Sequence, residues 1–160
     1  MRLALAFMVF GGGLAQSSVA PLLQVGPVTP DIPLILTAFL GLRRGPEVGC
    51  LSGFATGLIQ DVASGTLVGA QALTKALAGF GVGLLGGRFS VENPVVQVAG
   101  LVFLTLGEGL VRFALLQLFH FPAVFSEMML YVILPQALYN GFVGSAVVLA
   151  LDWARARRSF

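Results

Sequence analysis

Long apolar stretches, separated by short polar or proline-rich connections, run along almost the whole chain. A helix that crosses a membrane needs about 20 mostly apolar residues. The connections contain helix-breaking pairs such as Gly26-Pro27 and Asn93-Pro94, which mark the ends of the apolar stretches. The pattern predicts a single all-α domain of six membrane-spanning helices. Their expected positions are about 3–25, 31–42, 46–60, 68–87, 95–119 and 128–153.

Two other interpretations of this pattern stay open at this point. The second and third stretches are short and would also suit one re-entrant hairpin. The N-terminus has Arg2, an apolar run and the small-residue segment Gly13-Leu14-Ala15, as a cleaved signal peptide has. The apolar stretch continues past Ala15, however, and this favours a retained first span.

The composition excludes most classes of soluble protein. Apolar residues make up 57% of the 160 residues and charged residues 10%, against about 25% charged residues in ordinary globular chains. Mean hydropathy is +0.94. Six spans of about 20 residues leave only short loops and termini, so we expect no soluble enzyme and no nucleic-acid binder. Cys50 is the one cysteine and cannot form an internal disulfide.

The basic residues predict the orientation. With the N-terminus inside, all but two of the nine basic residues flank cytoplasmic ends of the spans, as the positive-inside rule requires. The remaining two lie within predicted spans, and the three outer connections carry neither Lys nor Arg. Both termini are therefore expected in the cytoplasm. The flanking residues are Arg2, Arg43, Arg44, Arg88, Arg155, Arg157 and Arg158.

Glycines recur every fourth residue through the second turn and the third apolar stretch. In lipid, helices associate through close contact of small residues rather than through exclusion of water. We therefore expect the third helix to be central and closely packed by its neighbours, with a dimer face as the other reading. The ladder consists of Gly41, Gly45, Gly49, Gly53 and Gly57, and Gly79, Gly83 and Gly87 repeat its spacing in the fourth stretch.

Four ionisable residues are predicted to lie at membrane depth: Asp61, Lys75, Glu108 and Arg112. Such groups are costly in lipid and mark functional sites or specific contacts. One interpretation is two local ion pairs, Glu108–Arg112 at helical i, i+4 spacing and Asp61–Lys75. The other is a polar pocket or partner-docking site open to the outside, with Asn140 as a neutral hydrogen-bonding member.

No catalytic arrangement and no metal-ligand spacing is found in the sequence. There is no Cys/His cluster of the kind that binds zinc, and no serine lies in a nucleophile elbow. We expect no enzymatic activity and no cofactor.

The third stretch contains a recognisable motif, from Gln60-Asp61 through Ser64-Gly65 to Gly69. With its flanking elements it resembles the family of rod shape-determining protein MreD. The resemblance extends over about residues 16–144. The other matching elements are Pro30-Asp31, Arg43-Arg44-Gly45, Gly53-Phe54, Gly57, Ala72-Leu73, Lys75, Glu108 and Tyr139-Asn140-Gly141.

The resemblance implies a six-span protein of the bacterial plasma membrane without enzymatic activity. It implies a scaffold of the cell-elongation machinery that binds MreC, a single-span protein with an extracytoplasmic domain. Through that machinery MreB filaments are coupled to peptidoglycan synthesis by RodA and a class B penicillin-binding protein, which sets rod shape. Contacts with lipid, and none with nucleic acid, are expected.

The family fold is similar to that of the substrate-binding subunits of energy-coupling-factor vitamin transporters. A small-molecule-binding subunit of that kind is the alternative function. Those subunits dock their energising partner through an Ala-x-x-x-Ala pattern in the first span. The alanines Ala4, Ala6, Ala15 and Ala20 contain no such pair, which weakens the alternative.

The orientation predicts the labelling of single cysteines introduced after Cys50 is replaced. Cysteines at Arg43 or Arg88 should resist an impermeant thiol reagent in intact cells, because both positions are expected to face the cytoplasm. Cysteines at Val28 or Ser64 should react. Labelling of position 88 from outside would contradict the six-span arrangement.

Overall fold

The structure is a computed structural model that describes residues 2–26, 28–65, 67–86 and 93–156. Over these residues the predicted all-α fold is confirmed, and the only β-type pairing is an isolated bridge between Val25 and Val28. The helices are α1 Arg2–Ser18, α2 Ile32–Arg44, α3 Pro46–Ser64, α4 Ala70–Leu85 and α5 Pro94–Leu118, followed by α6, which comprises Phe125–Glu127, a π-helical segment Met128–Ile133 and Leu134–Ala156.

The first helix is shorter than the sequence predicts. It ends at Ser18 rather than near Val25, and one turn of 3₁₀-helix, Ala20–Leu23, follows. Pro21 explains the difference, because it has no N–H to bond to the carbonyl of Ser17, four residues earlier, and its ring clashes with that carbonyl.

The π-helical segment of α6 ends directly before Leu134-Pro135. Within a helix, a proline ring clashes with the carbonyl group four residues earlier and leaves that carbonyl without its usual donor. A wider π-helical turn is one way in which a helix accommodates such an interruption. Pro135 therefore accounts for the irregular start of α6.

The helices form two packed groups. In the first group, α3 contacts α1, α2 and α4, and α2 also contacts α1 and α4. In the second group, α5 packs along α6. Helices α2, α3 and α4 alternate in direction. Gly41 near the end of α2 meets Gly49 near the start of α3, and Pro46 at the start of α3 lies beside Gly83 near the end of α4. The α5–α6 pair contacts the first group mainly through α4, and more sparsely through α2.

The glycine ladder brings α3 and α4 into backbone contact. A Cβ atom at Gly53 would collide with the carbonyl group of Lys75, and one at Gly57 would collide with the Gln71 carbonyl. Gly41 and Gly49 meet the backbone of α4 at Gly79 in the same way.

Gly45 differs from the rest of the ladder. It has no atom near its would-be Cβ, and its φ of +89° is a backbone conformation that favours glycine. It serves the turn between α2 and α3 rather than helix packing. In the second series Gly79 and Gly83 make backbone contacts, and Gly87 lies outside the described residues.

Polar side chains lie inside the bundle, and large apolar side chains lie outside. Asp61, Lys75 and Asn140 are fully buried, whereas Phe7 and Phe103 are about three-quarters exposed. This is the reverse of a water-soluble protein, in which charged residues are almost never fully buried. Two helical stretches of the described chain are long and apolar enough to cross a membrane, Val95–Leu118 and Phe125–Val147. The surface is therefore suited to lipid.

The backbone contacts predict which glycines tolerate a larger side chain. Gly53→Leu and Gly57→Leu should each destabilise the protein by about 1–3 kcal/mol, the usual cost of overpacking, because backbone atoms rather than flexible side chains stand in the way. Gly11→Leu is the matched control, since Gly11 is also helical and has open space around it. Thermal unfolding in detergent measures the effect. Equal midpoints for all three variants would show that the α3–α4 contact does not support the fold.

Candidate functional site

Asp61 binds the start of α4. Its side chain lies near the end of α3 and is fully buried. The carboxylate accepts hydrogen bonds from the backbone N–H groups of Gly69 at 2.9 Å, Gln71 at 3.1 Å and Ala72 at 3.0 Å. The first N–H groups of a helix have no partner within the helix and attract negative charge. Asp61 therefore satisfies the N-terminus of α4 and closes the α3–α4 hairpin.

The predicted ion pair between Asp61 and Lys75 is wrong. The Lys75 ammonium group instead lies 2.8 Å from a carboxylate oxygen of Asp31 and 3.6 Å from one of Glu108. It also donates a hydrogen bond of 3.1 Å to the side-chain carbonyl of Gln71. The physical reason is that the Asp61 oxygens are already occupied by the backbone of α4. Lys75 thus joins α2, α4 and α5.

Glu108 pairs with α4 rather than with its own helix neighbour. One carboxylate oxygen, Oε1, accepts a 2.8 Å hydrogen bond from the Thr74 hydroxyl and faces Lys75. The expected contact pair with Arg112 does not form. Arg112 is half-buried, and its Nε atom has no hydrogen-bond partner in the described chain. Glu108 is drawn to α4 because α4 offers both a cation and a hydroxyl donor.

Asn140 connects α6 to the same site. Its side-chain oxygen accepts a hydrogen bond of 2.8 Å from the backbone N–H of Asp31, and its amide group donates one of 3.2 Å to the Thr105 hydroxyl. One turn earlier, Gln136 donates to the backbone carbonyl of Thr29. The buried amide of Asn140 therefore fixes the start of α2 against α5 and α6.

The structure gathers Lys75, Glu108 and Asn140 into one cluster, with Asp31 at its centre. Asp61 lies at the same end of the bundle but binds backbone, and Arg112 lies at the edge. The sequence places Asp31 at the start of a predicted span and within the MreD-like pattern, but Asp31 is not among the predicted site residues. The available signal is a carboxylate at the expected outer end of the second span, on the same side of the membrane as Lys75. We call Asp31, Gln71, Thr74, Lys75, Glu108 and Asn140 the polar cluster.

The chemistry of the polar cluster is that of a structural connection. Asp31 uses one oxygen to accept from the N–H of Leu34 at the start of α2 and the other to pair with Lys75. The cluster also connects helices directly, through Lys75 with Asp31, Thr74 with Glu108 and Asn140 with Thr105. Such pairing is what buried polar groups need in a low-dielectric interior. In the described part of the chain, no group of His, Cys, Asp or Glu is placed to hold a metal ion.

The role of Asp61 predicts a large effect of its removal. Asp61→Ala would leave three backbone N–H groups without a partner. It should cost at least about 3 kcal/mol of stability, since each buried donor left without a partner costs about 1–3 kcal/mol. Asn93→Ala is the control, because Asn93 also caps a helix but is exposed to solvent. It should cost at most about 1 kcal/mol. Unfolding midpoints in detergent that rank the two variants in the opposite order would contradict this role.

Comparison with protein families gives a match over almost the full length. The sequence model of the family described as rod shape-determining protein MreD matches residues 1–152. Searches of the curated proteins and of the solved structures find no match. The family match includes every residue of the polar cluster and of the glycine ladder. The chain belongs to the MreD family of membrane proteins that determine rod shape.

Proposed function

We propose that this protein is a non-enzymatic, multi-pass scaffold of the cell-elongation machinery. In this role it holds a bitopic MreC-like protein and helps to couple MreB filaments to peptidoglycan synthesis by RodA and a class B penicillin-binding protein. Family membership supports the link to cell shape. The observation that carries the proposal is the inside-out distribution of polarity, with buried charges and exposed apolar side chains. Such a chain acts on its partners chiefly through membrane-facing surfaces.

The proposed topology has six spans with both termini in the cytoplasm. Helix α2 is about 20 Å long at 1.5 Å per residue, shorter than the roughly 30 Å hydrocarbon core. It contacts α4 from Asp31 near one end to Gly41 near the other, which supports a full crossing rather than a re-entrant hairpin. The exposed Arg43 and Arg44 would reach the cytoplasmic surface, as long basic side chains do at the ends of short spans.

This orientation places the polar cluster in the outer half of the membrane. Asp31 and Lys75 lie near the starts of α2 and α4, at the end opposite the arginines. An MreC-like protein with a single span and an extracytoplasmic domain would pass this level as it leaves the membrane. The outer half is therefore the region where we propose the main contact.

A vitamin-type substrate-binding subunit of an energy-coupling-factor transporter is the second candidate, because buried polar groups near an outer surface also suit a small-molecule site. The hydrogen bonds favour the scaffold instead. Asp61 is engaged by three backbone N–H groups, and Lys75 is engaged by Asp31, Gln71 and Glu108. The charged atoms of Asp61 and Lys75 already have partners within the protein, so neither side chain is available to bind a soluble ligand.

Affinity purification from native membranes tests the proposal. The tagged protein is co-expressed with the MreC-like protein of the same genome, and an unrelated bitopic membrane protein serves as the control. We expect the MreC-like protein to be recovered in amounts comparable to the bait, and the control protein to be absent. Recovery of ATPase subunits together with a bound vitamin would support the transporter alternative. Failure to recover the MreC-like protein would contradict the scaffold.

A further inference from the structure

An open groove lies between α4 and α5, with α2 as its floor. Its volume is about 1050 Å³, and its walls are almost wholly apolar. The lining extends from Thr74 to Leu85 on α4 and from Val96 to Val111 on α5. At 1.5 Å per residue these walls are about 16 and 22 Å long, which is room for three to four turns of a further helix.

Three glycines line this groove without any contact that explains them. A Cβ atom at Gly81, Gly100 or Gly107 would meet nothing within 4 Å. Glycine within a helix costs about 1 kcal/mol relative to alanine. Four of the five ladder glycines, by contrast, contact the α4 backbone. Gly100 and Gly107 are seven residues apart, so they lie on one face of α5. In lipid, such faces let another helix approach closely.

A buried carboxylate oxygen provides an independent observation. Glu108 lines the groove, and only 3% of the residue is exposed. Its Oε1 atom is bonded to Thr74, but Oε2 has no hydrogen-bond partner among the described residues. A buried acceptor left without a donor carries a full desolvation penalty. A hydrogen-bond donor supplied by a partner in the groove that Glu108 lines would remove this penalty.

We propose that a transmembrane helix of the bitopic partner lies in the groove between α4 and α5. A small-residue face of that helix packs on Gly81, Gly100 and Gly107. One polar side chain of the helix, such as Ser, Thr, Asn or Gln, donates a hydrogen bond to Oε2 of Glu108. This inference rests on the proposed function and names the surface by which the partner is held.

Two other occupants, a lipid acyl chain and a second copy of this chain, do not explain both the glycines without contacts and the Glu108 oxygen without a donor. A lipid acyl chain would fill the apolar walls but has no donor for Glu108. A second copy of the chain, bound symmetrically through this groove, would bring a second Glu108 carboxylate to it. A carboxylate accepts hydrogen bonds and supplies no donor for Oε2. A helix with a neutral donor avoids both difficulties.

Site-specific photocrosslinking with the co-expressed MreC-like protein tests the location. The photoreactive residue p-benzoylphenylalanine replaces Phe103, which lines the groove and is 74% exposed. The matched controls replace Phe7 on α1, 77% exposed, and Phe54 on α3, 50% exposed. We expect an adduct with the MreC-like protein from position 103 and none from positions 7 and 54.

A second pair of variants tests the groove by filling it. Gly107→Leu should lower recovery of the MreC-like protein about tenfold, equivalent to about 1.4 kcal/mol. Gly11→Leu, in open space on α1, should not lower it. Both variants should unfold at the parent temperature or slightly above it when purified alone, because an added Cβ atom meets nothing within 4 Å at either position and glycine is a poor helix former.

The possible outcomes distinguish an error in the location of the groove from an error in the proposed function. Adducts from position 7 or 54 but not from 103 would overturn the groove and leave the partnership intact. An adduct of two copies of this chain, or of lipid alone, from position 103 would also overturn it. Unchanged recovery with Gly107→Leu would do the same. Loss of the MreC-like protein from the unsubstituted bait would instead overturn the proposed function.

Discussion

One buried ammonium group pairs with carboxylates from both halves of this bundle. Nζ of Lys75 lies 2.8 Å from Asp31 on the N-terminal side of α2 and 3.6 Å from Glu108 on α5. No part of the Lys75 side chain reaches the surface. A buried charge in a medium of low dielectric is tolerated only when it is paired and hydrogen-bonded. The depth of α5 and the start of α2 are therefore set together by the need to neutralise Lys75.

The backbone contacts of the glycine ladder hold α4 in the position that this pairing requires. Gly53 touches the backbone of Lys75 itself, and Gly57 touches that of Gln71, which accepts a hydrogen bond from Lys75. Asp61, one further turn along α3, then meets the N-terminus of α4. Helix packing and charge pairing thus depend on the same α3–α4 register. The α5–α6 pair joins the other helices through the polar cluster and leaves the groove beside it.

Periodicity and composition predicted the helices well, because apolar length and helix-breaking residues are local properties of the sequence. The partners of the charged residues could not be predicted in the same way. Glu108 and Arg112 share a helix face, yet Glu108 bonds to Thr74 and Lys75 on another helix. Asp61 lies in the last turn of α3, three residues before its end at Ser64. Its hydrogen bonds with backbone N–H groups of α4 depend on how closely α3 and α4 approach. Which of several possible partners a charged side chain takes is decided by the tertiary packing of the helices.

The most direct test of this account is a set of neutralising substitutions around Lys75. Lys75→Met alone strands Asp31 and Glu108 and should cost about 3–5 kcal/mol, the usual effect of breaking a buried pair. Lys75→Met combined with Asp31→Asn and Glu108→Gln removes all three charges and should recover much of that loss. Arg44→Met, at an exposed cation, is the control. Unfolding midpoints in detergent that stay unchanged for Lys75→Met, or that fall further for the combined variant, would contradict the account.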